Sequence, residues 1–330
     1  MTTPAKGTAV VAVGFDDQTE ALLSTAVSLA RRFHSELRLV HVVAPHEGLG
    51  AFDYTASLYV SPLTATWDDE GAKAEAGERM QKLLASLPKD VRATGVVLSG
   101  PPTPCIATEA ITRRANLIVV ACSPDGYSAL TQGFSTSIGL MHEAQLPVLT
   151  VSKYAVLDFA KPGFRILIAD DLQESSHEAA RKGYELATRL GNAAKVRHVH
   201  VHGILRALIS ESLTPLQTTG KPTIEDQFDR DYEQRMAKLK SHGDAWRLQA
   251  EQSGTKVVYD VRTGNVQAEI AAAAADFKPD LYVFGRHRLL RTRPFLIGRM
   301  PFRTMLAEKR AVLLVPPTNE LYQRTAFPAN

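Results

Sequence analysis

The sequence predicts an α/β protein made of two tandem, doubly wound, five-stranded parallel-sheet domains. Short apolar runs rich in Val and Ile alternate with segments whose apolar residues recur every three or four positions. That strand–helix order is completed twice along the 330 residues, with a period near half the chain length. Alternating strands and helices favour a parallel sheet covered on both faces, and right-handed crossovers make such a sheet doubly wound.

Each half opens with a buried strand followed by an amphipathic helix. The strands are predicted in "TAVVAVGFDD", residues 8–17, and in "FRILIADDLQ", residues 164–173. Both are continuous apolar runs that end in turn-forming residues, which is typical of a strand buried on both faces. The helices that follow show the spacing of an apolar face. Its members are Leu22, Ala26, Leu29, Ala30 and Phe33 in the first half and Ala180, Tyr184, Ala187 and Leu190 in the second.

Four further strands complete each predicted sheet. The first half places them at 37–43, 94–100, 116–122 and 147–151, and the second half at 195–201, 256–264, 280–286 and 311–315. Helical segments separate these strands, so each half follows the same order. We therefore predict domains at residues 1–152 and 164–318, a linker at 153–163 and a C-terminal tail at 319–330.

Composition indicates an ordinary globular protein of the cytoplasm. Hydrophobic residues make up 45% of the chain and charged residues 22%. A net charge of +3 indicates no global attraction to nucleic acid or to an anionic membrane. The two cysteines lack metal-ligand spacing and favour a reducing compartment. No apolar run approaches the ~20 residues that span a bilayer, and the N-terminus lacks the regions of a signal peptide.

These residues resemble the universal stress protein family in tandem form, with one copy in each half. In the nucleotide-binding branch of that family, an Asp ends the first strand and a Gly-x2-Gly-x9-Gly-[Ser/Thr] loop follows the fourth. The second half places Asp170 at the end of its first strand, and Gly285 and Gly298 at the spacing of the outer glycines. Arg288 stands where the middle glycine would be, and Arg299 where Ser or Thr would be. The resemblance implies a Rossmann-like fold of the adenine nucleotide alpha hydrolase-like type. It also implies ATP or another adenine nucleotide as ligand, with Mg²⁺.

The first half departs much further from the nucleotide motif of this family. Gly14 stands where the strand-end Asp would be. Ala121, Pro124 and Phe134 occupy the three glycine positions, and only Ser135 agrees. We therefore expect the first domain to be a degenerate copy, and any nucleotide to bind in the second domain.

The predicted site lies at the edge of the second domain's sheet where the carboxyl ends of its strands meet. We call this edge, which includes Asp170, Gly264 and Gly285, the carboxyl rim. Ligands of open parallel sheets bind at this edge, at the point where the strand order reverses. Asp170 would accept hydrogen bonds from ribose hydroxyls or help hold a metal with its neighbour, and backbone near the end of the second strand would read an adenine edge. A phosphate would lie near Gly285 and the following helix start, where glycine and the helix dipole favour anions. The candidate cofactor-binding residues are Asp170, Asp171, Val201, Gly264, Gly285, Arg286, Arg288, Gly298 and Arg299.

Each of these signals also has an ordinary structural interpretation. Asp170 is equally typical of a turn or a helix cap, and the glycines of tight turns and close helix packing. The arginines around 286–299 are also typical of a solvated basic loop. His198, His200 and His202 alternate on one face of a strand, which suggests a metal site. No Cys or acidic cluster accompanies them in sequence, so we expect them to pack under helices or to line the rim.

The functional alternatives differ in what the second domain binds. No GxSxG, HExxH or GxxxxGK[ST] signature is present, so the sequence indicates no catalytic constellation. The leading hypothesis is a stress-response regulatory protein that binds an adenine nucleotide or a related phosphate-bearing ligand. The alternative is an interaction or scaffold module whose pocket is closed by Arg288. A weak ATPase with Asp170 as base is less favoured, and nucleic-acid binding through the arginine loop is the least favoured.

The resemblance also implies an assembly. In this family the last strands often pair across domains, which here are "PVLTV" and "AVLLV". We therefore expect the two domains to pack as an internal pseudo-dimer, and whole chains to form a homodimer.

Overall fold

The structure, a computed structural model, describes residues 7–44, 69–122, 136–191, 194–203, 224–286, 299–306 and 308–317. Strands and helices alternate along these ranges, so the predicted α/β order is confirmed. Among the described residues, no helix combines the length and the apolar character that crossing a membrane requires.

The first half contains strands that are short, apolar and largely buried. Four of them are buried along most of their length, because helices cover both faces of a parallel sheet. The elements described are β1 (Gly7–Ala12), α1 (Thr19–Phe33), β2 (Ser35–Val43), α2 (Asp69–Ser86), β3 (Ala93–Ser99), α3 (Pro102–Thr112), β4 (Leu117–Ala121), α4 (Thr136–Glu143) and β5 (Val148–Val151).

The second half repeats this order with one difference. The helical segment before its third strand, which the sequence predicts as one stretch, is divided by a turn at His242 and Gly243. The elements described are β6 (Arg165–Asp170), α5 (Glu174–Leu190), β7 (Lys195–Gly203), α6 (Ile224–Ser241), α7 (Asp244–Gln252), β8 (Lys256–Gly264), α8 (Val266–Phe277), β9 (Leu281–Gly285), α9 (Arg299–Leu306) and β10 (Ala311–Val315).

The chain forms two compact units, and the first extends beyond the first half of the sequence. Its described residues are those up to 160 and those from 299 to 314. Its strands follow the order β3-β2-β1-β4-β5, and all these neighbours are parallel. β10 pairs with β5 in the antiparallel sense, and the Thr150 hydroxyl donates to the carbonyl of Val312 at 3.2 Å. The two strands predicted to close each half are thus hydrogen-bonded neighbours.

The second unit holds the described residues from 161 to 286 and from 315 to 317. Its strands follow the order β9-β6-β7-β8, and these neighbours are parallel. The register places Arg165 opposite Lys195 at one end of β6 and Asp170 opposite His200 at the other. Since the strands are parallel, their amino ends share one edge of the sheet and their carboxyl ends share the opposite edge.

The predicted linker, residues 153–163, is largely part of the first unit rather than a free connection. Leu157 and Phe159 are 3% and 2% exposed. The Leu157 N–H donates to the Thr25 hydroxyl at 3.0 Å, and the Phe159 N–H donates to the Ser28 hydroxyl at 2.8 Å. These contacts seat the segment on α1, because its two apolar side chains gain more from burial than from exposure to water.

Candidate functional site

The carboxylate of Asp170 is enclosed by its own fold. Asp170 is the last residue of β6 and is 4% exposed. Its Oδ1 accepts a hydrogen bond from the Leu172 N–H at 2.6 Å, which closes the turn after the strand. Its Oδ2 accepts from His198 Nε2–H on β7 at 2.9 Å and from His242 Nδ1–H at 2.7 Å. Both carboxylate oxygens therefore have donors from within the second unit.

His242 reaches Asp170 because the helical segment breaks directly after it. Gly243 has a φ of 87°, a left-handed conformation that strains other residues. A Cβ at this position would also lie 2.5 Å from Cδ2 of Tyr184, so the turn packs closely on α5. The histidine stands 72 residues after Asp170 in the chain, and it is not among the site residues predicted from the sequence. The sequence feature that could have indicated the break is a glycine inside a helical pattern.

Asp170, His198 and His242 form what we call the Asp–His cluster, and its hydrogen bonds determine its protonation. Burial raises the pKa of Asp170, but the bonds from the two histidines outweigh it and hold that pKa well below its usual range. Burial lowers the pKa of His198 by more than Asp170 raises it. His198 is therefore neutral, with its proton on Nε2 facing an ionised carboxylate. Its Nδ1 then accepts from the Tyr184 O–H at 2.9 Å.

Polar contacts around the cluster join the helices to the sheet. Tyr184 on α5 is fully buried, and burial raises its pKa. The ring of His198 lies 6.2 Å from that of Tyr259 on β8. The Tyr259 hydroxyl donates to Glu251 on α7, which also pairs with Arg247 at 3.1 Å. The cluster is thus the centre of a network that fixes α5 and α7 against three strands.

His200 and His202 take different positions on the same strand. His200 is buried, and its Nδ1–H donates to the backbone carbonyl of Asp170 at 2.9 Å. Its Nε2 is buried without a hydrogen-bond partner among the residues that the structure describes. Burial lowers the pKa of His200, since protonation would leave a charged N–H in that position. His202 is half-buried near the strand end.

On the side that faces the carboxylate, the Asp–His cluster offers a metal no unprotonated nitrogen. The two histidine nitrogens that face Asp170 carry protons, and a metal ligand must be unprotonated. Within the described ranges, no group of three or more His, Cys, Asp or Glu side chains is arranged to hold a metal ion.

Asp171 closes a turn and does not join Asp170 at a common ligand position. Its side chain is exposed, and its Oδ1 accepts from the Gln173 N–H at 3.0 Å and from the Ser176 hydroxyl. The backbone N–H of Asp171 donates back to that hydroxyl at 3.3 Å. This pattern shapes the entry into α5, so Asp171 has the turn role that its residue type favours.

Gly285 allows the end of β9 to approach the start of α5. A Cβ at Gly285 would lie 2.5 Å from the carbonyl oxygen of Ser175, a backbone atom that cannot move aside. The glycine therefore serves close packing of the protein on itself, at the position where the resemblance implied close approach of a phosphate. The next N–H, that of Arg286, donates to the Val315 carbonyl at 2.8 Å.

The remaining predicted residues are spread along the strand ends and the last helix. Val201 is half-buried near the end of β7, and Gly264 is the buried last residue of β8. Arg299 is the first residue of α9. Arg288 and Gly298 lie outside the described residues.

The first half has no acidic residue at the position that corresponds to Asp170. Gly14 lies in an exposed turn after β1, and Ala121 is the last residue of β4. The other three motif positions, Pro124, Phe134 and Ser135, lie outside the described residues.

Comparison with known proteins gives a family match and a set of similar folds. The sequence matches the universal stress protein family twice, over residues 7–152 and 164–301. A universal stress protein from Archaeoglobus fulgidus DSM 4304 has a similar structure, with a TM-score of 0.60 and 13% identity over 95% of this chain and 97% of that one. A functionally unknown protein from Pseudomonas aeruginosa PAO1 gives a TM-score of 0.57 and 15% identity over 96% and 94%. None of the curated proteins compared with the sequence matches it.

Proposed function

This chain belongs to the universal stress protein family, with two copies of the family domain in tandem, and on that premise we propose that it works as a regulatory interaction module. In this proposal the second domain does not bind a nucleotide through Asp170. The first domain, which has Gly14 at the corresponding position, supplies no substitute carboxylate. The module then acts through its surfaces rather than by turning over a substrate.

One observation carries the proposal, which is the enclosure of the Asp170 carboxylate. Both oxygens accept hydrogen bonds from buried donors, and the side chain is 4% exposed. A ribose hydroxyl would have to compete for this buried carboxylate with the donors that already bind it, among them His198 and His242. Each buried donor left without its partner costs about 1–3 kcal/mol, and more when the lost acceptor is charged. Binding energy from a single ribose contact does not offset that loss.

The close contact between Gly285 and Ser175 supports the same conclusion for phosphate. The space next to the Gly285 Cα is filled by the backbone that begins α5. A phosphate that used this glycine for close approach would have to separate β9 from α5. Arg288, the residue predicted to close the pocket in the alternative hypothesis, lies outside the described ranges.

Binding of ATP or another adenine nucleotide, with Mg²⁺, is the alternative, and a single titration separates the two. ATP and ADP are titrated into the full chain by calorimetry, with and without Mg²⁺, beside Asp170→Asn and the matched neighbour Asp171→Asn. We expect no saturable binding that depends on Asp170. Saturable binding that weakens at least tenfold in Asp170→Asn, and stays unchanged in Asp171→Asn, would overturn the proposal.

The weak-ATPase hypothesis is tested in the same samples. Asp170 is the only base proposed for it, and its carboxylate is held by two histidines. We expect phosphate release at the background rate in the parent chain. Release above background that disappears in Asp170→Asn would establish the ATPase instead.

Location in the cytoplasm, the internal pseudo-dimer and the homodimer stay predictions. The antiparallel pairing of β5 with β10 supports the use of these two strands in assembly. Sedimentation of the purified chain, with a mass of 36.0 kDa, distinguishes a monomer from a dimer.

A further inference from the structure

The second unit has a basic cavity at the edge opposite the carboxyl rim. The cavity has a volume of about 240 Å³. Four of its seven lining residues are cationic and one is acidic. They are Arg165, Lys195, Arg197, Lys256, Val258, Asp276 and Phe277.

The parallel register brings these cations together. Arg165, Lys195 and Lys256 stand at the amino ends of β6, β7 and β8 and occupy one row across the three strands. Arg197 lies two residues after Lys195 and therefore points to the same face of the sheet. Residues that are far apart in sequence thus form one positive surface, which we call the amino edge.

The two arginines of the amino edge are partly used by the fold. Arg165 donates to the carbonyl of Phe277 at 3.1 Å, and Arg197 donates to the carbonyl of Ala273 at 2.9 Å. Both carbonyls belong to the last turns of α8, where cations are favourable. The Arg197 guanidinium also lies 5.2 Å from the Phe277 ring centre. Its Nε is buried and has no hydrogen-bond partner among the described residues, so the arginine keeps an unused donor.

The two lysines have no such structural contact. Lys195 and Lys256 are exposed, and neither forms an ion pair with any described residue. Asp276 is the single carboxylate that lines the cavity. Four cations beside one carboxylate give the cavity a local excess of positive charge, which favours an anion there. Phe277 and Val258 add an apolar wall, next to which the charges of the cavity are less screened than in bulk water.

From this geometry we propose that the amino edge binds a small anion with several phosphate groups, such as a short polyphosphate chain. Guanidinium and ammonium groups together favour phosphate oxygens, the first by paired donors and the second as a point charge. Free polyphosphate and the triphosphate chain of a nucleotide share this chemistry. The site lies at the opposite end of β6 from Asp170, so it does not depend on the function proposed above.

The test is a calorimetric titration of the full chain with sodium tripolyphosphate, and in a second arm with ATP. The variant Lys195→Gln/Lys256→Gln removes the two cations without a described structural role. The control Lys73→Gln/Lys82→Gln removes two exposed cations from α2, with the same change in net charge. We expect tripolyphosphate binding that weakens at least tenfold in the first variant, weakens with added salt, and is unchanged in the control.

The ATP arm identifies the source of the phosphate chain. Equal affinity for ATP and tripolyphosphate supports recognition of the chain alone, and tighter ATP binding supports a nucleotide at the amino edge. ATP bound there is lost in Lys195→Gln/Lys256→Gln and kept in Asp170→Asn, which separates this site from the carboxyl rim.

Three results would overturn the assignment. The first is no binding of tripolyphosphate by the parent chain at millimolar concentration. The second is an equal loss of binding in the control variant, which would indicate a general charge effect. The third is a larger loss of affinity for a single-stranded RNA than for tripolyphosphate in Lys195→Gln/Lys256→Gln. That result would assign the surface to nucleic acid.

Discussion

Replacing Asp170 by Ala should destabilise the second unit strongly, because the carboxylate belongs to the core. The substitution removes the acceptor for His198 Nε2–H, His242 Nδ1–H and the Leu172 N–H at once. Each buried donor left unpaired costs about 1–3 kcal/mol, and more when the lost acceptor is charged. Since neighbouring contacts do not add fully, we expect a loss of about 4 kcal/mol in the free energy of unfolding.

Two matched variants should both lose less stability than Asp170→Ala. Asp170→Asn keeps one acceptor oxygen but turns an NH₂ group toward either the Leu172 N–H or the two histidines, so we expect about half the loss. Asp171→Ala removes an exposed turn carboxylate next in the chain and should cost about 1 kcal/mol or less.

Urea unfolding followed by tryptophan fluorescence provides the measurement. The chain has two tryptophans, Trp67 and Trp246, so Trp67→Phe leaves Trp246 on α7 as the reporter of the second unit. A ribose-binding aspartate on an open rim would tolerate Ala with a loss under about 0.5 kcal/mol, as other surface positions do. A loss below about 1 kcal/mol in Asp170→Ala would therefore refute the core role of this carboxylate.

Three further perturbations follow from the same packing. Burial lowers the pKa of His198 and His200. Below pH ~6.5 the unfolded chain therefore binds protons that the folded chain does not. The free energy of unfolding should then fall with decreasing pH, by up to about 1.4 kcal/mol per pH unit for each histidine. Urea midpoints at pH 7.5, 6.0 and 5.0 measure this slope, and a flat profile would contradict neutral buried histidines. Gly285→Ala places a Cβ 2.5 Å from the Ser175 carbonyl oxygen and should cost about 1–3 kcal/mol, whereas unchanged stability would indicate a free rim glycine. Gly243→Ala would place an alanine at a φ of 87° and its Cβ against the Tyr184 ring, so thermal unfolding should show a similar loss of stability. An unaltered midpoint would mean that the turn carrying His242 is not closely packed.

The succession of strands and helices along the chain could be predicted, because buried parallel strands are local apolar runs in the sequence. β6 and β9 are continuous apolar segments bounded by turn formers, and their order repeats that of the first half. The repeat also located Asp170 at a strand end correctly. The direction of its side chain could not be predicted, because it depends on two donors that come from other elements.

His242 illustrates why the site was harder to predict than the fold. Its sequence surroundings, "KLKSHGDAW", indicate a helix, and only the glycine suggests a break. The contact with Asp170 joins residues 72 positions apart and requires α6 to end at that point. Gly285 shows the same limit, since its spacing from Gly298 fits a nucleotide loop, while its neighbour in space is the backbone of Ser175.

The packing of the predicted linker could not be predicted, for a related reason. "SKYAVLDFAKPG" has the composition of a linker, but Leu157 and Phe159 within it are buried against the first unit. A two-residue apolar spacing in a short polar segment does not distinguish a docked segment from a free one. Whether the segment docks depends on the surface of α1 that it contacts, and that surface exists only in the folded chain.

The most direct measurement of whether nucleotide reaches Asp170 is the NMR spectrum of the histidine side chains during a titration with Mg-ATP. His198 and His242 donate directly to the Asp170 carboxylate, so a ribose that displaced either of them would shift their imidazole nitrogen resonances. We predict that both stay unchanged at millimolar Mg-ATP, with His198 neutral and protonated on Nε2. Saturable shifts of these two histidines that follow the nucleotide concentration would contradict it.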